Sequence, residues 1–168
     1  MVVGSNPTRG AKFFPVQTSD VQTMIVRKIL IMGLPGSGKT TLASILAPKL
    51  DAVWFNADQV RETISRDLGF SLKDRIEQAR RMGALCDGVV KEGKIAIADF
   101  VCPTPETRAA FGPAFVVFVD RITESRFADT NSLFVAPDAY DVHVTSGGDA
   151  ETWANRIAKL LGGGAGGP

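Results

Sequence analysis

The chain has 168 residues, 45% of them hydrophobic and 22% charged, enough apolar material for one globular domain with a sizeable core. A formal net charge of +1 provides no field that would draw in a nucleic acid or an anionic membrane, so any anion site must be a local cluster of cations. Cys86 and Cys102 are widely separated and His143 is the one histidine, which argues against a zinc site and suits a reducing cytoplasm; no apolar run approaches the roughly 18 residues that would span a bilayer.

The first 23 residues show little periodicity, and "MIVRKILIMG" then opens on a methionine and runs directly into a strand. Residues 1–24 are therefore expected to be a poorly ordered extension with Met24 as the natural start; a short arm packed on the domain is the alternative. From residue 25 to 162, apolar runs and helical patterns alternate. "IVRKILIM" reads as a strand, "KTTLASILAPKL" as a helix disturbed near its end by Pro48, and "AVWF" as a short strand. "ADQVRETISRDL" predicts a helix ended by Gly69. The next helix, "SLKDRIEQARRMGALCDGVVKE", opens on a Ser71–Asp74 capping pattern, and Leu72, Ile76, Ala79, Gly83, Cys86 and Val90 make its buried stripe. "KIAIADF" and "AFVVFVD" are strands either side of a short helix "PETRAAF". "YDVHVT" is a fifth strand, where His143 has a structural place, and "DAETWANRIAKLL" closes the domain. Residues 163–168 can bury nothing and are expected to be a disordered tail. Strands separated by helices imply an α/β three-layer domain on a five-stranded parallel sheet.

"GLPGSGKTT" fits the pattern G-x-x-x-x-G-K-S/T between a strand and a helix, the context that the P-loop NTPase fold requires. Gly36 and Gly38 let successive N–H groups turn inward around phosphates at a helix N-terminus. The nucleotide-binding residues are therefore Gly33, Leu34, Pro35, Gly36, Ser37, Gly38, Lys39, Thr40 and Thr41, for ATP with Mg²⁺. Lys39 would place a charge on the outer phosphates and Thr40 a hydroxyl on the metal. A P-loop in so short a chain favours a small-molecule kinase over a motor or a switch.

Downstream, "NADQVR", "DLGFS" and "DRIEQARR" follow the loop in the order and spacing of the adenylylsulfate kinases, whose pattern runs D-G-D-N-V/I-R, D-L-G-F-S, D-R-x-E-N-x-R-R. With "DFVCP" for F-I-S-P, the chain resembles that family over about residues 28 to 105. The resemblance implies transfer from ATP to the 3′-hydroxyl of adenylylsulfate, giving 3′-phosphoadenylylsulfate for sulfate activation. It implies Arg61 and Arg75 as anion clamps, Phe70 as an aromatic for the adenine, Gln78 as an amide contact, and Asp58 as the group that takes or orients the hydroxyl proton. The bland alternatives are solvated helix arginines and a hydrophobic plug at Phe70. Arg80 and Arg81, about 100° apart on a helix, cannot both face one site.

Three departures qualify the likeness. Asn56 and Ala57 replace the first two residues of D-G-D, and "IAIADF" ends in Asp99 where the family has a small residue. Asp99 is therefore expected to supply the carboxylate that Asn56 lacks, as catalytic residue and Mg²⁺ ligand with Thr40; a loop-ordering aspartate is the alternative. Cys102 stands where the family has serine. The family's lysine-rich lid is replaced by "DRITESRFADTNSLFVAPDAYDV", in which a short helix around "TESRF" is expected to carry Arg121 or Arg126 over the nucleotide. The acceptor thus stays open between adenylylsulfate, another anionic nucleotide derivative or small hydroxyl compound, and no acceptor at all in an ATP-binding module. The partner is a small nucleotide-type anion, with no nucleic acid and no membrane; a homodimer is left open.

Overall fold

A computed structural model of the chain describes residues 13–16 and 23–162. Most of the expected extension, and the tail at 163–168, lie outside those residues. Two short strands, β1 (Phe13–Val16) and β2 (Thr23–Val26), pair antiparallel. No such pair is expected from the sequence, where β2 and β3 (Lys28–Met32) read as one strand, whereas the strands part at Arg27.

The domain itself is an α/β three-layer fold on an all-parallel sheet of order β4-β5-β3-β6-β7. Its remaining strands are β4 (Val53–Asn56), β5 (Ala96–Asp99), β6 (Phe115–Val119) and β7 (Val142–Val144). The helices are α1 (Lys39–Leu50), α2 (Ala57–Thr63), α3 (Leu72–Lys91), α4 (Pro105–Phe111), α5 (Ala128–Leu133) and α6 (Ala150–Leu160). The central strands are apolar throughout because both faces are covered. Ile29 and Ile31 of β3 point to the core under α1 and α6, while Leu30 and Met32 point to the core under α3 and α4. Strand order reverses about β3, and the crevice outside the carboxyl ends of such strands is where open α/β sheets bind ligands.

Lys28 is fully buried at the other end of β3, held by Asp87 at 3.0 Å and the carbonyl of Phe111 at 2.7 Å. Burying an ammonium is costly, and the Asp87 carboxylate and the Phe111 carbonyl offset that cost. α3 crosses α4 closely enough that a Cβ on Gly83 would lie 2.2 Å from the Phe111 carbonyl oxygen. Cys86 and Cys102 are both buried, and among the described residues neither forms a disulfide. Among the described residues, no helix is long and apolar enough to cross a membrane.

Three local expectations need correction. α2 ends at Thr63, short of Gly69. The inward face of α3 begins at Arg75 and Gln78, with Leu72 41% exposed, because its first turns border a cleft and not the core. The helix expected around "TESRF" forms instead at 128–133, where Asn131 locks it to the preceding turn. The Asn131 amide donates to the Ser125 carbonyl at 2.8 Å, and its oxygen accepts from the Ser125 N–H and hydroxyl, each at 2.8 Å.

Candidate active site

The phosphate loop leaves β3 with Gly36 and Gly38 at φ 81° and 103°, the left-handed region that lets the N–H groups converge. Gly38 caps α1 without a side-chain hydrogen bond, so the helix's first N–H groups stay available to an anion. Pro35, Gly36, Lys39 and Thr40 line a cleft of about 750 Å³ whose other walls are α2, the start of α3, the loop after β5 and residues 122–130. The buried Lys39 ammonium donates to the Leu34 carbonyl at 2.9 Å. Burial lowers its pKa to about 8, against the pull of Asp99 and then Asp58. Ser37 Oγ is buried with no hydrogen-bond partner among the described residues.

Asp99 closes β5 in register with Asn56 of β4. Its carboxylate is buried and accepts from Thr40 Oγ1 on Oδ1 at 3.2 Å, and from Trp54 Nε1 at 2.7 Å and Asn56 Nδ2 at 3.1 Å on Oδ2. Burial raises its pKa from the ordinary carboxylate value; the hydrogen bonds from Asn56 and Trp54, the Lys39 charge and the Thr40 bond oppose that rise. Asn56 also caps α2, its Oδ1 accepting from the N–H groups of Asp58 and Gln59 at 3.1 and 3.2 Å. The cap projects Asp58 into the cleft, where its exposed carboxylate makes no side-chain hydrogen bond among the described residues.

On the opposite wall, Arg61, Phe70, Arg75 and Gln78 line the same cleft. The Arg61 guanidinium lies 4.2 Å from the Phe70 ring centre and donates to the Gly69 carbonyl at 2.8 Å. Burial lowers its pKa, with Arg75 as the next cause; two cations held this close define a place for an anion. Arg75 donates to the Phe70 carbonyl at 2.8 Å and reaches the lid helix at Thr130 Oγ1 (3.1 Å) and Asp129 (3.5 Å). Its acidic neighbours in sequence are engaged elsewhere: Glu77 binds Arg80 and Arg81, and Asp74 accepts from the Gly69 N–H. Gln78 is buried, its Oε1 without a partner among the described residues and its amide nitrogen 3.4 Å from the Ala57 carbonyl.

Of the two lid arginines, Arg126 lines the cleft and lies over the Phe127 ring at 4.9 Å. Arg121 falls outside the cleft wall and acts electrostatically on Asp149, the cap of α6. Cys102 is buried in the floor at φ 48°, and burial pushes its thiol up to about 12, so it is a neutral filler. His143 stacks on Phe118 and bonds Asp120 at 2.9 Å, away from the phosphate loop's lining.

Three contributions were not foreseen from sequence: Trp54, Phe127 and Thr130. Trp54 stands two residues before Asn56 in a strand, hence on the same face, and that spacing was a usable signal. Phe127 is 43% exposed at the same cleft mouth as Phe70, which is 63% exposed, so two large rings face solvent around one site. Nothing local marks Thr130.

Comparison with known proteins points to one family. At 42% identity over 82 residues, the chain matches an adenylyl-sulfate kinase from Chloroflexus aurantiacus, covering 46% of this chain and 44% of that one. A Bacillus licheniformis adenylyl-sulfate kinase is 40% identical over 85 residues, covering 48% and 43%. The bifunctional enzyme NodQ of Azospirillum brasilense is 29% identical over 160 residues, covering 77% of this chain and 26% of that protein. The chain thus spans less than half the length of these curated relatives. The fold is shared with the Mycobacterium tuberculosis APS kinase CysC in complex with AMPPNP and APS, at TM-score 0.74 and 23% identity over 81% of this chain and 97% of that one. The family model for adenylylsulphate kinase matches residues 26–134, which include the phosphate loop, both arginine blocks and the lid helix. The chain belongs to the adenylylsulphate kinase family.

Proposed function

We propose that this chain is an ATP-dependent phosphotransferase that phosphorylates the 3′-hydroxyl of adenylylsulfate, giving 3′-phosphoadenylylsulfate and ADP for sulfate activation. The observation that carries the reading is one cleft in which the P-loop Lys39 and Thr40 face Asp58 and the Arg61–Phe70–Arg75 cluster. Gly33 to Thr41 would cradle the nucleotide phosphates, with Lys39 neutralising charge as the γ-phosphoryl moves. Asp58, placed by the Asn56 cap, takes the proton from the 3′-hydroxyl as that oxygen bonds to the γ-phosphorus and the bond to ADP breaks. Arg61 binds the phosphosulfate anion, Phe70 and Phe127 offer faces to the adenine, and Gln78 orients it with its amide. Arg126 approaches from the lid.

The donor set at Thr40 and Asp99 suits magnesium, a hard cation that takes one or two protein oxygens and its ligands' phosphates. When bound, magnesium would neutralise charge on the β- and γ-phosphates. Among the described residues, Asp99 is the one carboxylate that accepts a hydrogen bond from Thr40. The cellular setting proposed is cytoplasmic, with a small nucleotide anion as partner and neither nucleic acid nor membrane. Sedimentation at micromolar concentration tests self-association into a homodimer.

One observation favours a second acceptor reading: the link from Arg75 to Asp129 and Thr130 leaves Arg61 as the arginine whose side-chain partners are neutral carbonyls and the Phe70 ring. A nucleotide derivative or small hydroxyl compound with a single anionic group would fit that arrangement. A coupled ADP-release assay with adenylylsulfate against such a panel separates the readings. Acceleration by adenylylsulfate supports the first; acceleration by another acceptor alone transfers the assignment to it. ATP binding with no turnover on any acceptor overturns both in favour of a binding module.

A further inference from the structure

Asp99 is surrounded by more donors than a strand-end aspartate needs. Trp54 and Asn56 leave β4 on the same side, and both donate to Oδ2, at 2.7 and 3.1 Å. Two N–H groups occupy that oxygen's lone pairs. Among the described residues Oδ1 accepts only the Thr40 hydroxyl, at 3.2 Å, and keeps a lone pair on the side of the phosphate loop. Asn56 has no freedom to do otherwise. Its own oxygen is committed to the N–H groups of Asp58 and Gln59, so its nitrogen must face Asp99 and Thr40, the latter at 3.2 Å. The amide's assignment is thus fixed by the helix cap.

We propose that Trp54 and Asn56 are positioning residues that lock Asp99 through Oδ2, so that Oδ1 and the Thr40 hydroxyl present a preset pair of oxygens to a divalent cation. The proposal rests on reading Asp99 as the metal carboxylate. Trp54 does the larger share: its bond is the shorter, and its ring is half-buried against the core beneath α1, which prevents it from following a wandering carboxylate. Asn56 contributes a second link, since the same side chain that orients Asp99 also places Asp58. Strand β4 therefore sets the metal side and the acceptor side of the cleft together.

The chain contains two tryptophans, Trp54 and Trp153, and Trp153 lies on α6 with its indole bonded to the Gly147 carbonyl, outside the cleft lining. In a Trp153→Phe background, emission reports Trp54 alone. Magnesium chloride is titrated with a non-hydrolysable ATP analogue present, following emission, while calorimetry follows the metal independently. A saturable emission change, absent in Asp99→Asn, is the expected result. Trp54→Phe, which keeps the ring and deletes the donor, should raise the magnesium concentration for half-saturation about tenfold, as loss of a hydrogen bond to a charged group implies. Its KM for acceptor should be unchanged. If Asp99→Asn binds magnesium as the parent does, the metal reading itself fails. If Asp99→Asn weakens binding but Trp54→Phe does not, the positioning proposal alone is overturned. An unchanged Trp54 emission while calorimetry shows binding overturns it without any change at Trp54, which covers the case of a Trp54→Phe chain that does not fold.

Discussion

Restoring an acid at position 56 should harm the protein. In Asn56→Asp an oxygen replaces the nitrogen that lies 3.1 Å from Asp99 Oδ2. Two charges at that distance repel by about 5 kcal/mol at an effective dielectric of about 20. Protonation relieves the clash at lower cost: keeping one carboxyl neutral at pH 7 against an ordinary pKa of about 3.9 takes roughly 4 kcal/mol, and about 1.5 kcal/mol at pH 5. The folded pair therefore titrates above the unfolded value. By linkage the variant's deficit is small below about pH 4 and grows as pH rises. At roughly 2–4 °C per kcal/mol for a domain of this size, melting should fall by about 10 °C at pH 7 but only about 4 °C at pH 5. Millimolar magnesium should recover part of the loss at pH 7. Thermal unfolding without metal at the two pH values is the assay. A variant that melts within 2 °C of the parent at both would refute the proximity and the charge argument together.

Lys39 gives a second pH dependence of opposite origin: burial depresses its pKa to about 8, so the ammonium that phosphates need is lost as pH rises through that value. Calorimetric ATP affinity should hold steady up to about pH 7.5 and weaken by up to about tenfold per unit above 8; a flat profile to pH 9.5 would contradict it. Asp129→Ala removes an exposed partner of Arg75 and should lower KM for adenylylsulfate by no more than about fivefold, because exposed pairs contribute under about 1 kcal/mol. A rise in KM would mean that Asp129 helps hold the acceptor. Gly83→Ala drives a methyl against the Phe111 carbonyl oxygen, a backbone atom that cannot rotate away. It should lower the unfolding free energy from chemical denaturation by about 1–3 kcal/mol while sparing ATP binding; an unshifted midpoint would show that α3 and α4 are not so tightly apposed.

The phosphate loop was legible because its spacing encodes backbone geometry within nine residues, Gly33 to Thr41. The buried strands were legible because coverage on both faces leaves unbroken apolar runs such as Phe115–Val119. Ser71 marked the start of α3 for a local reason, its hydroxyl accepting from the Asp74 N–H at 3.1 Å. Periodicity failed where burial is not core burial: Arg75 and Gln78 face inward because a cleft lies there, and Leu72 does not. The lid helix escaped for a related reason. Its position depends on Asn131 closing onto Ser125 and on Thr130 meeting Arg75, 55 residues earlier. The bond from Trp54 to Asp99 depends on strand register, which no single segment carries.

The proposed reaction moves the γ-phosphoryl of ATP, bound in this cleft, to the 3′-oxygen of adenylylsulfate. Incubation of the full chain with ATP, magnesium and adenylylsulfate, followed by mass and phosphorus-31 spectra of the product, tests it most directly. The expected product is heavier by one phosphoryl group, with a new monoester at the 3′-position and an equal yield of ADP. Bound ATP with adenylylsulfate recovered unchanged, while another hydroxyl compound is phosphorylated in the same cleft, would contradict it.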